Sequence, residues 1–349
     1  MSFKPQHLLP ALIILALVAL AYSCKPTGTN RRTLLIYTPH GQDMLNDFVA
    51  RYKQAGGGAV EVQFLDMGSQ EVLRRVSVER NRPQADLWWG AAHTTFQTAA
   101  DENLLAPYRP TWADRLPAES HDAQDRWYAT YETPEVIIYN SAAVTAADAP
   151  KDWDDVLDPK WRDKVLIRNP TPSDSMRAIF GAMIWRFYRE TNSPNGGYDW
   201  LRRLDANVHE YTADGTLLMQ KLARQEGLIT LWNLPDAQIF REQKGFPQIA
   251  YSIPTSGTPV IMDGIAVIRG APHEEEARKF YEFVTTPENL VYAARKYYRI
   301  PVRADLDRTQ LPPWMNETFP RMPLDWDLLR RQGGDWLRYW DTEIRGRNK

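Results

Sequence analysis

The sequence predicts an α/β protein of two lobes, each built on a largely parallel sheet, with a cleft between them. Three observations carry that expectation. Short β-rich runs alternate with amphipathic helical stretches in strand–helix–strand–helix–strand order over the first third of the chain, an order that implies crossover helices on a parallel sheet. A second series of the same kind follows in the middle of the chain. Two extended stretches, near Glu132–Tyr139 and Val260–Ile268, fit strands that cross from one lobe to the other and act as a hinge. At 349 residues the chain is long enough for two cores.

In the first series, Leu34–Tyr37 is a buried-strand run that breaks at Thr38-Pro39-His40-Gly41. Met44, Leu45, Phe48, Val49 and Tyr52 then share one helical face, which Gly56-Gly57-Gly58 ends. Val60, Val62 and Phe64 alternate as a strand. Gly68-Ser69-Gln70 opens a helix with Val72, Leu73 and Val76 inward, and Ala85–Gly90 is the third strand. In the second series, Val165–Arg168 is a strand and Ser173–Glu190 a long helix with Met176, Phe180, Met183, Ile184 and Phe187 at core spacing. Helices are expected near Tyr198–Asn207 and Thr216–Gln225, and strands at Leu228–Trp232, Ile249–Ile253 and Val260–Ile268. The remainder, from Pro272, is mainly helical.

The N-terminus has its own pattern. Lys4 precedes an apolar run, Leu8–Tyr22, which ends at Ser23-Cys24. A positive start, an apolar core and a small residue at the cut make a secretory signal. Cys24 is the only cysteine, so it reads as a lipid attachment point rather than a disulfide partner. A transmembrane anchor is the alternative, but the run contains Pro10 and falls short of the roughly 20 apolar residues a span needs. The expected division is a signal peptide over 1–23, a lipidated tether over 24–33, lobe 1 over 34–135 plus 261–300, lobe 2 over 136–260, and a C-terminal helical segment over 301–349 packing on the lobes. A formal net charge of −2 argues against a general nucleic-acid binder. Thirteen Trp and sixteen Tyr supply core material and also the kind of side chain that lines small-molecule clefts.

Six segments, in order, carry a family resemblance: YTPHG at 37–41, GSQEVLRRV at 68–76, PQADLWWG at 83–90, PEVIIYN at 134–140, DWDDVLDPKWRDKVLIRNP at 152–170, and TPVIMDGIAVIRGAPHEEEARKFYEFV at 258–284. Through them the chain resembles the periplasmic solute-binding proteins of ABC importers, in the branch with ferric-ion-, thiamine-, polyamine- and phosphorylated-compound-binding members. The resemblance implies a type II periplasmic-binding-protein fold, capture of a small-molecule or metal-ion solute by lobe closure, and delivery to permease and ATPase subunits. It implies no cofactor, no nucleic-acid partner, a monomer, and a place in the cell envelope on an N-terminal lipid.

Ligands of open α/β sheets sit beyond the carboxyl ends of the strands. Candidate contacts are therefore Tyr37, Thr38 and His40 after the first strand, Ser69 and Gln70 after the second, and Trp88 and Trp89 on the third. Glu132 and Thr133 precede the first crossing, Asn169, Ser173, Asp174 and Ser175 lie between a strand and a helix, Asn233 follows Trp232, and Asp263 lies in the second crossing. Ser69 and Ser173–Ser175 sit at helix N-termini, which attract anions but also simply cap helices. Relatives often carry Gly where Asp174 stands. A carboxylate there would repel an anion unless it turned away, which favours a cationic or hydroxylated ligand. His40 suits a metal or, as the plainer reading, a neutral hydrogen-bonded role. The ferric-binding relatives' tyrosine pair has no match at Trp232–Pro235. Trp88 and Trp89 alternate faces, so one of them is expected to reach the cleft. Arg168 fits an anion contact or a surface ion pair. No GxSxG, HExxH or P-loop pattern points to an enzyme. An exported hydrolase and a ligand-sensing subunit of a signalling system remain the alternative functions.

Overall fold

The computed structural model describes residues 32–316 and 318–347. The expected signal peptide and Cys24 lie outside these residues. From the N-terminal side, β1 (Arg32–Thr38), α1 (Gln42–Gln54), β2 (Val60–Asp66), α2 (Ser69–Val78), β3 (Leu87–Ala92) and α3 (His93–Asp101) come first. The short β4 (Leu105–Ala106) and the long β5 (Tyr128–Asn140) follow. Next are β6 (Val165–Arg168), α4 (Asp174–Thr191), α5 (Asn195–Asp205), β7 (Val208–Thr212), α6 (Gly215–Ala223), β8 (Ile229–Asn233), α7 (Leu234–Glu242) and β9 (Ile249–Ser252). The chain closes with β10 (Val260–Ile268), α8 (Glu274–Val284), α9 (Pro287–Tyr297), β11 (Ile300–Pro301) and α10 (Trp326–Glu343).

The strands run in the order β2-β1-β3-β10-β5-β8-β6-β7. β1 pairs parallel with β2 and β3, and β6 pairs parallel with β7 and β8, as crossover helices require. The crossings are antiparallel: β10 lies against β3 and β5, and β5 against β8. β5 serves both lobes. Its first half, up to Pro134, pairs with β10, and from Glu135 onward it pairs with β8 and β9. One continuous strand thus passes between the lobes at Pro134–Glu135, and the chain returns through the stretch between β9 and β10.

Each side of the lobe 1 sheet has its own core. Leu34, Ile36, Leu87 and Trp89 pack with Phe48 and Phe280 on one face. Tyr37, Trp88, Val72, Val76 and Phe96 pack on the other. Lobe 2 is built on one cluster that includes Val136–Ile138, Ile179, Met183, Leu201 and Leu231. α8 and α9 return to lobe 1, where Phe280, Tyr281 and Leu290 join its core. α10 then adds Trp336, Leu337 and Trp340 to the lobe 2 core, while Arg330 at its start pairs with Asp101 of α3 at 2.7 Å. α3, α7 and β7 have no counterpart in the sequence reading. Their apolar faces are short, and β7 carries His209 and Glu210 in its middle.

Candidate ligand-binding cleft

The carboxyl ends of β1, β2, β6, β7 and β8 and the N-termini of α2, α4, α6 and α7 converge on one cavity of about 1450 Å³, walled by both lobes. That is where an open α/β sheet places a ligand. The expected residues that line it are His40, Ser69, Thr133, Ser173, Asp174, Ser175, Asn233 and Asp263.

Most of these already have work to do. His40 is buried edge-on against Trp89 and Tyr131, at 5.3 and 5.9 Å between ring centroids. Burial, with Arg299 nearby, holds its pKa well below the usual imidazole value, so the ring is neutral. Its Nε2 has no hydrogen-bond partner. Gly90 makes the seat possible, because a Cβ there would lie 2.6 Å from Nε2. Asp263 accepts from the Thr133 hydroxyl at 2.6 Å, and burial pushes its pKa up to about 6. Glu135, at the crossing point, is fully buried with neither carboxylate oxygen in a good hydrogen bond. Burial drives its pKa well up, opposed only in part by the neighbouring Ser175 hydroxyl, which keeps it protonated. Ser173 caps α4, accepting from Met176 N at 3.3 Å, and Asn233 caps α7, accepting from Asp236 N at 2.9 Å.

Asp174 resolves the question raised by its position. Its carboxylate points away from the cavity floor into lobe 1, where it accepts from Gln70 Nε2 at 2.7 Å, Ala92 N at 2.9 Å and Thr95 Oγ1 at 3.1 Å. It ties the lobes together. A second tie, Lys244 to Asp43 at 2.6 Å, spans the mouth of the cleft. Between the lobes Gly68 packs so closely that a Cβ on it would lie 2.9 Å from the Pro172 carbonyl oxygen.

Other expected contacts are placed elsewhere. Trp88 and Trp89 are both fully buried, on opposite faces of a sheet that helices cover on both sides, so neither reaches the cleft. Tyr37 is core, and its hydroxyl donates to Glu79 at 3.0 Å. Thr38 is fully buried and accepts from His40 N at 3.1 Å, shaping the turn. Gln70 serves the Asp174 tie. Glu132 forms a two-pronged pair with Arg321, at 2.6 and 2.9 Å, and does not line the cavity. Asn169 accepts from Thr171 N at 3.1 Å in the turn after β6 and does not line the cavity. Among the described residues there is no cluster of three or more His, Cys, Asp or Glu placed to hold a metal ion.

Several lining residues were not anticipated: Asp66, Asp214, Asp236, Lys244, Lys296 and Arg299. Arg168, noted at a strand end, lines the cavity too, with its guanidinium over the Trp232 ring at 5.1 Å. Asp214 and Asp236 follow β7 and β8, so the strand-end rule finds them once β7 is recognised. Arg299 sits in the run YYRIP, where nothing but its charge sets it apart.

The comparisons agree with this architecture. The family model described as bacterial extracellular solute-binding protein matches residues 47–320. A protein of Sinorhizobium fredii, named as an ABC transporter periplasmic-binding protein, is 27% identical over 90% of this chain and 87% of its own length. A Salmonella typhimurium periplasmic protein named for 2-aminoethylphosphonate binding is 27% identical over 71% of each chain. The periplasmic binding protein AfuA of Actinobacillus pleuropneumoniae, solved with fructose-6-phosphate, superposes with a TM-score of 0.78 at 20% identity, covering 90% of this chain and 99% of that one. With two α/β lobes, a crossing-strand hinge and a shared cavity, this chain is a type II solute-binding protein and belongs to the bacterial extracellular solute-binding protein family.

Proposed function

We propose that this protein is the extracytoplasmic receptor of an ABC importer, capturing a small polar solute intact between its lobes and presenting the shut form to permease and ATPase subunits. The observation that carries the reading is a cavity of about 1450 Å³ with walls from both lobes, whose lining includes Asp174, Lys244 and Asp43 of the inter-lobe ties. A solute that touches both walls stabilises the shut arrangement over the open one. The naming of the relatives supports the importer partners. The contacts are His40, Ser69, Thr133, Ser175, Asn233 and Asp263, joined by Arg168 and Arg299. Lobe 1 comprises 34–135 and 261–300, lobe 2 comprises 136–260, and the described residues of 301–349 pack on both. The receptor acts as a monomer held to the membrane by lipid on Cys24, and performs no chemistry on its ligand.

The test is a thermal-shift screen of solutes with recovery of the bound compound. A ligand raises Tm and returns unaltered, and the size of the rise follows RT ln(1 + [L]/Kd). Turnover of the ligand would replace this reading with an exported enzyme. Mass spectrometry of the envelope-purified protein tests the anchor: an acylated mature Cys24 is expected, and a free amino terminus there would contradict it.

A further inference from the structure

The charges lining the cavity divide into those already matched and those left over. Of its four Lys and Arg side chains, Lys244 is held by Asp43 at 2.6 Å and Lys296 by Asp47 at 2.8 Å. Arg168 and Arg299 are different. Each has an Nε that is buried without a partner, and neither guanidinium has a hydrogen bond or ion pair among the described residues. Arg299 is only 8% exposed, so an unmatched charge is nearly out of water there. Asp263 acts on Arg299 through space, and Asp236, Asp214 and Asp66 act on Arg168, but none of these carboxylates makes a hydrogen bond or ion pair with a guanidinium, and an oxyanion is the group whose geometry fits the open fork. The two residues come from opposite lobes, Arg168 from the end of β6 and Arg299 from just before β11.

The usual anion seat in such folds, a helix N-terminus, is partly taken. At α4 the Ser173 side chain caps Met176 N, and Asp174 brings a carboxylate to the first turn. The guanidiniums are the charged anion donors of the cavity, beside the α1 and α2 N-termini, which no side chain caps. Around them the acids are in excess: Asp66, Asp214, Asp236 and Asp263 all line the same cavity. A solute that is only an anion meets that negative surround, and a solute that is only a cation leaves both guanidiniums unmatched.

We propose that the cleft takes a small zwitterion, its oxyanion oxygens paired with Arg168 and Arg299 across the two lobes and its ammonium group facing Asp66, Asp214 and Asp236. This rests on the cleft being the receptor site, and it names the class of solute that site accepts. Because each lobe supplies one guanidinium, an oxyanion paired with both adds to the ties that hold the lobes shut.

The experiment is titration calorimetry with 2-aminoethylphosphonate, taurine and β-alanine as zwitterions, and with ethylphosphonate and ethanolamine as single-charge controls. At least one zwitterion binds more tightly than both controls. Arg168→Gln and Arg299→Gln each weaken that binding by roughly 10- to 100-fold, the loss of a charge-assisted hydrogen bond. The solute-free Tm and circular dichroism of each variant are measured alongside, so that lost binding is read only in folded protein. Equal affinity in both variants overturns the proposal, as does preference for a single-charge control or no heat from any zwitterion. In those cases a solute of another class that still raises Tm and is recovered unaltered leaves the receptor reading standing, whereas hydrolysis of the bound compound removes both.

Discussion

At the Asp174 and Lys244 contacts between the lobes the charges have direct partners; in the cavity the charges of Arg168 and Arg299 do not. At the seam, Asp174 collects donors from Gln70, Ala92 and Thr95, and Lys244 meets Asp43. In the cavity, Arg168 and Arg299 carry buried nitrogens with no partner. The contrast teaches that these two seam contacts form without a solute, whereas the cavity guanidiniums lack a direct partner. Closure is thus divided between contacts the protein makes with itself and contacts that a guest must supply.

The largest way to break the contrast is to wedge the seam. Gly68→Ala suits that backbone, whose φ is −61°, but it drives a methyl into the Pro172 carbonyl when the lobes are shut. The overpacking cost of roughly 1–3 kcal/mol falls on the shut form alone. Solute affinity is expected to drop about tenfold, with a larger radius of gyration by small-angle scattering. Unchanged affinity would mean that the lobes close along another path.

Asp174→Ala removes the tie instead of propping it. The loss of charge-assisted bonds costs about 1–3 kcal/mol, read as a lower denaturation midpoint, and the solute-free protein opens in scattering. Asp174→Asn, which keeps an acceptor, recovers part of the loss. Equal stability in all three proteins would show that the seam carries no closure energy.

Asp263 sharpens the comparison by pH. Its folded pKa of about 6 lies above its unfolded value, so the folded state holds the extra proton between about pH 4 and 6. Stability therefore falls as pH rises through that window, and the penalty is fully present above it. Asp263→Asn is expected to raise Tm at pH 7 and to leave it nearly unchanged at pH 4. The opposite sign would mean that the carboxylate is stabilised in the shut cleft.

The smallest effect belongs to Glu132. Its pair with the half-exposed Arg321 lies outside the cavity, so Glu132→Gln costs less than about 1 kcal/mol and leaves solute affinity unchanged. A large loss of binding would return Glu132 to the site.

The strands and main helices were legible because their apolar residues recur at periods of two or 3.6, and the order of elements implied the parallel sheets. The strand-end rule also picked out His40, Ser69, Ser175 and Asn233, which line the cavity. It failed at Trp88 and Trp89, because helices from distant parts of the chain cover both faces of that sheet. It could not assign Asp174, whose partners lie 79 to 104 residues away and belong to the other lobe. Arg299 was invisible for the same reason. Its burial comes from packing around β11, not from any local pattern.

Arg168 and Arg299, without a direct partner in the solute-free protein, are proposed to pair with the solute's oxyanion. A crystal structure of the protein grown with its tightest-binding zwitterion tests that pairing directly. The oxyanion is expected within hydrogen-bonding distance of both Arg168 and Arg299, with Asp174 still bonded to lobe 1. A solute bound elsewhere, or bound in the cleft with both guanidiniums still unpaired, would contradict it.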